Sequence, residues 1–169
     1  PKVLYQQFAQ SGLTTWVSTP SFAQMCLVEK SFGAAMLPRL RRFLFCGETL
    51  ANETAAQLLD RFPDAEVWNT YGPTEATVVA CAALLDGQGP VRIGLPLEGW
   101  ALAVVDATGI PVSDGEVGEL IIGGVGLARY LDPAKDAQKY ASMPSIGWDR
   151  AYRSGDLVLR TQGAAIGYP

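Results

Sequence analysis

Histidine is absent from this 169-residue chain, which removes the side chain most used as a general base near neutral pH and as a metal ligand. Basic residues are in the minority, with 13 Lys and Arg against 17 Asp and Glu and a net charge of −4. Without a basic stripe, binding of nucleic acid or of an anionic lipid surface is not expected. No apolar run is long enough to span a bilayer, so no membrane insertion is expected, and no signal peptide is visible. Cysteine is sparse. Cys26, Cys46 and Cys81 are odd in number and form no Cys-x-x-Cys pair, as expected of reduced thiols in a cytoplasmic protein. Chemistry must therefore run on carboxylates, hydroxyls, lysine, arginine or bound metal.

What is present is globular. Apolar residues make up 49% and charged residues 18% of the chain, enough for a sizeable core. Residues 1–85 alternate helical and strand signals. A helix ends near Ala9 and is stopped at Ser11-Gly12, a β-rich run covers Leu13–Ser18, and Pro20 opens a helix to about Leu27. Arg42–Cys46 is a continuous apolar run suited to a parallel strand buried on both faces. Asn52–Phe62 has helical spacing, Glu66–Asn69 is a short strand and Thr77–Leu85 another. This alternation predicts part of an open α/β sheet layer over 1–85. Asp86–Pro90 reads as a loop and a boundary. Beyond it come short strands at Ala101–Val105, Gly118–Gly123 and Leu157–Arg160, with one helix near Pro133–Tyr140. Residues 91–169 are thus expected to form a small, distorted β-barrel-like subdomain, within a second domain of 86–169.

In α/β sheets, ligands collect at loops leaving the carboxyl ends of strands. Cys46-Gly47-Glu48 and residues 69–77, Asn-Thr-Tyr-Gly-Pro-Thr-Glu-Ala-Thr, occupy such places. Tyr71 offers a flat face for a purine. Gly72 and Pro73 set an abrupt turn, the glycine through its tolerance of positive φ. Thr74 and Glu75 supply oxygen, the ligand type suited to Mg²⁺ beside phosphates. Base, phosphate and metal chemistry in one loop point to ATP.

Two further segments join these in order: Gly118–Gly124 with Leu127-Ala128-Arg129-Tyr130-Leu131, and Tyr152-Arg153-Ser154-Gly155-Asp156-Leu157. Together the four resemble the adenylate-forming superfamily over nearly the whole chain. Ser18–Cys26 and Phe43–Glu48 look most similar to its D-alanine–carrier protein ligase branch, with peptide-synthetase adenylation domains the near rival and acyl-CoA ligases a third. The resemblance implies an enzyme that uses ATP and Mg²⁺ to activate an amino acid, favoured as D-alanine, as an acyl-adenylate. The acyl group would then pass to the phosphopantetheine thiol of a carrier protein; the alternative from another class is a non-catalytic nucleotide-binding or interaction module that retains the loop.

By the same resemblance, Asn69 would hydrogen-bond the adenine amino group, Tyr71 would stack on the ring, and Thr70 and Gly72 would line the nucleotide. Thr74 would contact the α-phosphate and Glu75 would hold Mg²⁺, making this pair the catalytic one. Asp156 would grip the ribose hydroxyls, while Gly47 would let the backbone approach the nucleotide beside Glu48. Cys46, Thr70 and Val78 would line the acyl pocket, the cysteine narrowing it to a small side chain. Blander roles stand beside several of these. Cys46 could be inert core, Glu48 could favour a helix start, and Asp156 could be a turn residue. Gly118–Gly124 reads as structural, with no chemistry assigned.

The sequence also departs from the family pattern. No Gly-rich phosphate loop precedes the matched region, and the usual Arg-Gly-Tyr appears as Arg129-Tyr130. The catalytic lysine of the mobile C-terminal lobe is missing with that lobe. The resemblance thus implies a fragment of a larger N-terminal lobe, inactive alone. A truncated sheet edge would favour self-association or aggregation.

Overall fold

The structure is a computed structural model that describes residues 2–161 and 166–167. Two compact units interleave along the chain, one formed by Pro1–Asn69 with Leu84–Val91 and the other by Thr70–Ala83 with Arg92–Pro169. The change of unit comes within the nine-residue motif, between Asn69 and Thr70, whereas the sequence signals put a boundary after residue 85.

In the first unit, α1 (Lys2–Ser11), β1 (Thr15–Ser18), α2 (Pro20–Leu27), β2 (Arg42–Phe45), α3 (Asn52–Arg61) and β3 (Glu66–Tyr71) follow in order. The strands β1, β2 and β3 are parallel neighbours, with Trp16 opposite Phe43 and Phe43 opposite Val67. Parallel pairing requires crossovers, and α2 and α3 supply them. Pro20 stands in the first turn of α2, where a missing N–H costs nothing. On α3, Thr54, Ala55 and Leu58 form the buried stripe. The core is aromatic: Phe43 meets Phe62 edge-on at 4.9 Å and Trp16 packs on Phe32 at 5.5 Å. Phe43 and Phe45 are fully buried while Leu44 is half-buried, so β2 alternates instead of being sealed on both faces.

The second unit is mainly antiparallel, as the change in sequence pattern implies. It contains β5 (Arg92–Pro96), β6 (Trp100–Val105), β7 (Val117–Gly124), α4 (Pro133–Lys139), β8 (Tyr140–Met143), β9 (Trp148–Arg160) and β10 (Ile166–Gly167). Strand β4 (Cys81–Leu85) begins here and pairs with β5 through Cys81 and Ala82. From β5 the ladder runs through β10, β9 and β7 to β6, with β8 on β9. Register shifts at Glu119/Ile121 and Ala141/Met143 put bulges into this ladder, the device that bends strands. Its core gathers Ile93, Val104, Leu120, Ile122, Tyr152 and Val158. The Asp132 carboxylate caps α4 by accepting from the Ala134 N–H at 2.9 Å, with Pro133 next in the first turn.

Three features were not expected from the pattern. Residues 77–80 are not strand, because Thr77 and Val78 have left-handed φ of 51° and 72° and cannot continue a pleat. Strand β9 runs for 13 residues instead of starting at Leu157. Strands β5 and β8 carried no recognisable signal; β5 contains Gly94 at φ 104° and ends on Pro96.

Candidate nucleotide-binding site

The motif that begins at Asn69 closes into a tight excursion. Strand β3 carries the chain to Tyr71, a single 3₁₀ turn covers Thr74–Ala76, and the Ala80 N–H donates back to the Tyr71 carbonyl at 2.9 Å. The Pro73 carbonyl accepts from both the Ala76 and Val78 N–H groups, at 3.0 and 3.2 Å. Gly72 is required here by closeness, not by a positive φ. A Cβ on it would lie 2.6 Å from the Val78 carbonyl oxygen and 2.7 Å from the Ala80 nitrogen. Val78 is a β-branched residue at positive φ, a conformation that costs on the order of 1–3 kcal/mol and occurs preferentially at functional sites.

Glu75, half-buried in that turn, is held from several directions. Its carbonyl accepts from the Ala128 N–H at 2.8 Å and from the Tyr140 hydroxyl at 3.1 Å. The Tyr130 hydroxyl donates to Oε1 of its carboxylate. The Tyr130 bond holds the Glu75 carboxyl below the usual carboxylate range, against partial desolvation and with help from Lys135 and Lys139. In return, the hydrogen bond to Glu75 pushes the Tyr130 phenol up to about 12. The next residue but one, Thr77, donates its hydroxyl to the Gly126 carbonyl at 2.5 Å, tying the excursion to the 125–131 segment. Thr74 is exposed at the head of the turn.

Asp156 comes to the same loop from β9. The Tyr71 hydroxyl donates to its Oδ2, so Tyr71 is fixed by its phenol end, and its partly buried ring packs against the core of this unit. Burial first, and this bond second, raise the Tyr71 phenol well above its ordinary value. The Asp156 N–H donates to the Ser154 hydroxyl at 3.0 Å, and that hydroxyl donates to the Leu120 carbonyl at 2.7 Å. Gly155 sits at φ 78°, and its N–H donates to Oε1 of Glu119 at 3.2 Å. The other Glu119 oxygen receives both Arg153 Nη2 at 2.5 Å and Nε at 3.1 Å. A carboxylate thus shapes the Ser154–Asp156 turn.

Of the remaining expected site residues, Cys46, Gly47, Glu48 and Asn69 lie in the first unit. Phe45 of β2 stands opposite Asn69 of β3, so the Cys46-Gly47-Glu48 loop leaves β2 beside Asn69. Asn69 is 1% exposed and Thr70, the first residue of the second unit, 8%. Gly47 adopts φ 88°, which demands glycine. Oε2 of Glu48 accepts from the Ser21 N–H at 3.1 Å in the first turn of α2, so the carboxylate caps α2 instead of beginning a helix of its own. Cys46 is half-buried.

The second unit thus brings together Tyr71, Gly72, Thr74, Glu75, Val78 and Asp156, on one loop and the strand beside it. Sequence reasoning passed over Tyr130 and Glu119. Each carried a signal: a tyrosine closing the Leu-Ala-Arg-Tyr-Leu segment, and a lone acid in the apolar run of β7. Among the described residues no three acidic or thiol groups cluster as a metal cage. One anionic carboxylate in an oxygen-rich turn suits Mg²⁺, which keeps its waters and leans on one or two carboxylates plus substrate phosphates. No helix among the described residues is long and apolar enough to cross a membrane.

Comparison with known proteins agrees with this geometry. The family model for AMP-binding enzymes matches residues 1–131. A D-alanine–D-alanyl carrier protein ligase of Bacillus cytotoxicus is 42% identical over 169 residues, covering 96% of this chain and 33% of the relative. AB3403, a four-domain nonribosomal peptide synthetase whose structure holds AMP and glycine, superposes with a TM-score of 0.88 at 31% identity, covering 98% of this chain and 12% of that one. PA1221, which contains adenylation and PCP domains, superposes at 0.87 with 26% identity, covering 100% and 35% of the two chains. This chain spans about a third of the length of the curated relatives it matches. With most of its length inside the family model and the motif loop folded as described, the chain belongs to the AMP-binding enzyme family.

Proposed function

We propose that the polypeptide containing this chain is an ATP-dependent ligase that activates an amino acid, favoured as D-alanine, as its adenylate and passes it to a carrier-protein thiol. The observation that carries this reading is the coupling of Tyr71 to Asp156 on the loop that also holds Glu75. It supports the reading because one unit then carries an aromatic ring and two carboxylates, one suited to ribose hydroxyls and one to a metal. The 42% identity to the D-alanine–D-alanyl carrier protein ligase supports the choice of substrate. A carrier partner is supported by that relative and by PA1221, which joins adenylation and PCP domains.

In this reading, the substrate carboxylate attacks the α-phosphorus of ATP, and the bond to pyrophosphate breaks. The thiol then attacks the acyl carbonyl and AMP leaves. Tyr71 stacks on adenine, and Asp156 accepts the ribose hydroxyls through the oxygen its bond to Tyr71 leaves open. Asn69 and Thr70 line the base, and the backbone at Gly47 and Gly72 approaches the nucleotide closely. Thr74 donates its hydroxyl to the α-phosphate and Glu75 holds Mg²⁺, together orienting the phosphates for in-line attack. When bound, the metal neutralises charge on the phosphates. Cys46, Thr70 and Val78 are the candidate selectivity residues for the acyl group. Carboxylates, hydroxyls and reduced thiols suit a cytoplasmic enzyme.

A peptide-synthetase adenylation domain for another amino acid is the second reading, favoured by the 31% identity to AB3403. Pyrophosphate exchange by the whole polypeptide across an amino-acid panel separates the two. Exchange strongest with D-alanine is expected; strongest exchange with a much larger amino acid selects the second reading. No amino-acid-dependent exchange at all overturns both.

A further inference from the structure

The segment after β7 fastens itself to Glu75 twice, once through main chain and once through a side chain. The Ala128 N–H holds the Glu75 carbonyl at 2.8 Å, and two residues later the Tyr130 hydroxyl donates to Oε1 of the carboxylate. Tyr130 is itself held on every side. Its N–H donates to Oδ1 of Asp136 at 2.8 Å, the Lys135 ammonium lies 4.0 Å from its ring centre, and Tyr140 meets the ring edge-on at 6.0 Å. Asp136 in turn pairs with Arg150 at 3.4 Å, and Arg150 also donates to the Ala128 carbonyl at 2.8 Å. The strap therefore closes on itself, and it reaches the Glu75 side chain through the Tyr130 hydroxyl.

A glutamate side chain has several rotamers to lose on ordering, and a carboxylate that must meet phosphate-borne Mg²⁺ gains affinity by having them removed beforehand. A phenol in a locked ring is suited to that task. Resting on the reading of Glu75 as the metal-holding carboxylate, we propose that Tyr130 is a positioning residue that fixes the Glu75 carboxylate for Mg²⁺–nucleotide. The missing glycine between Arg129 and Tyr130 does not prevent this, since the strap still delivers the hydroxyl to Oε1.

The test compares the whole polypeptide with its Tyr130→Phe and Glu75→Gln variants. Equilibrium binding of ATP is measured with Mn²⁺ present and with chelator instead, alongside melting temperature. Tyr130→Phe keeps the ring, its Lys135 contact and its edge-on packing, and removes only the hydroxyl. The expected result is about a tenfold loss of the metal-dependent gain in ATP affinity, as for other partners of metal-binding carboxylates. Metal-free ATP binding and melting temperature stay near wild type. Glu75→Gln should abolish the gain. If Glu75→Gln abolishes it and Tyr130→Phe leaves it intact, Tyr130 is packing and the proposal fails while the functional reading stands. If Glu75→Gln leaves the gain intact, the metal role of Glu75 fails and takes the proposal with it. Should Tyr130→Phe lower the melting temperature, binding is measured again well below that temperature, where the variant is folded. The tenfold loss of the gain is then still expected, and a gain equal to wild type counts against the proposal.

Discussion

On the proposed reading Tyr71 carries two separable duties, one for its ring and one for its hydroxyl. Tyr71→Phe keeps the stacking face and removes the bond to Oδ2 of Asp156. A hydrogen bond to a charged group contributes about 1.5–3 kcal/mol. The variant in the whole polypeptide should therefore bind AMP roughly tenfold more weakly, by calorimetry, with little change in fold; unchanged affinity would assign Tyr71 to stacking alone. The phenols also give a pH signature. Tyr130, through its bond to Glu75, and Tyr152, through burial, are each pushed up to about 12, and Tyr71 is raised as well. Unfolded phenols titrate near 10. Folded values above unfolded ones mean that the protonated phenols stabilise the fold fully below about pH 10, a contribution lost as pH rises through about 12. Tyrosinate absorbance of the native chain should therefore rise at higher pH than in urea. Coincident curves would contradict the buried, hydrogen-bonded placement.

At the scale of elements, the excursion between β3 and β4 is where conformation is most constrained. Gly72→Ala would drive a methyl to 2.6 Å from the Val78 carbonyl and should destabilise the chain by about 2 kcal/mol. Val78→Gly, by contrast, relieves a β-branched residue at φ 72° and should stabilise by about 1 kcal/mol at the expense of the site. Urea melts of the two variants check both signs. Elements with a local cause were legible in the sequence. Pro20 starting α2, the apolar stripe of α3 and Asp132-Pro133 before α4 each act within a few residues. The long β9 was not, because Trp148–Asp156 is a mixed run whose strand form depends on pairing with β7 and β8. Strand β5 was hidden for a related reason. Gly94 reads as a breaker, yet the close approach of Ala82, 2.1 Å from where a Cβ would stand, requires it. The site divides the same way. Loop chemistry from Tyr71 to Glu75 could be read from residue types, whereas the grip of Tyr130 on Glu75 spans 55 residues of sequence and exists only once the chain is folded.

For the whole molecule, the family assignment and the length of the match have a shared consequence. On the proposed reading the residues described here supply base, ribose and metal contacts, and the curated relatives are about three times as long. On the proposed reading, the 169 residues alone should bind ATP weakly and show no pyrophosphate exchange. They should also self-associate with concentration, measurable by sedimentation, since Val17 on β1 is 73% and Val28 84% exposed. Micromolar binding with full exchange by the isolated chain would contradict this.

The proposed nucleotide site rests on the Tyr71–Thr77 excursion and Asp156, both in the second unit. A crystal structure of the whole polypeptide with AMP tests it most directly. The adenine is expected against the Tyr71 ring, with the ribose hydroxyls at Asp156 and the phosphate beside Thr74. AMP bound elsewhere, with the Tyr71–Asp156 pair unengaged, would contradict it.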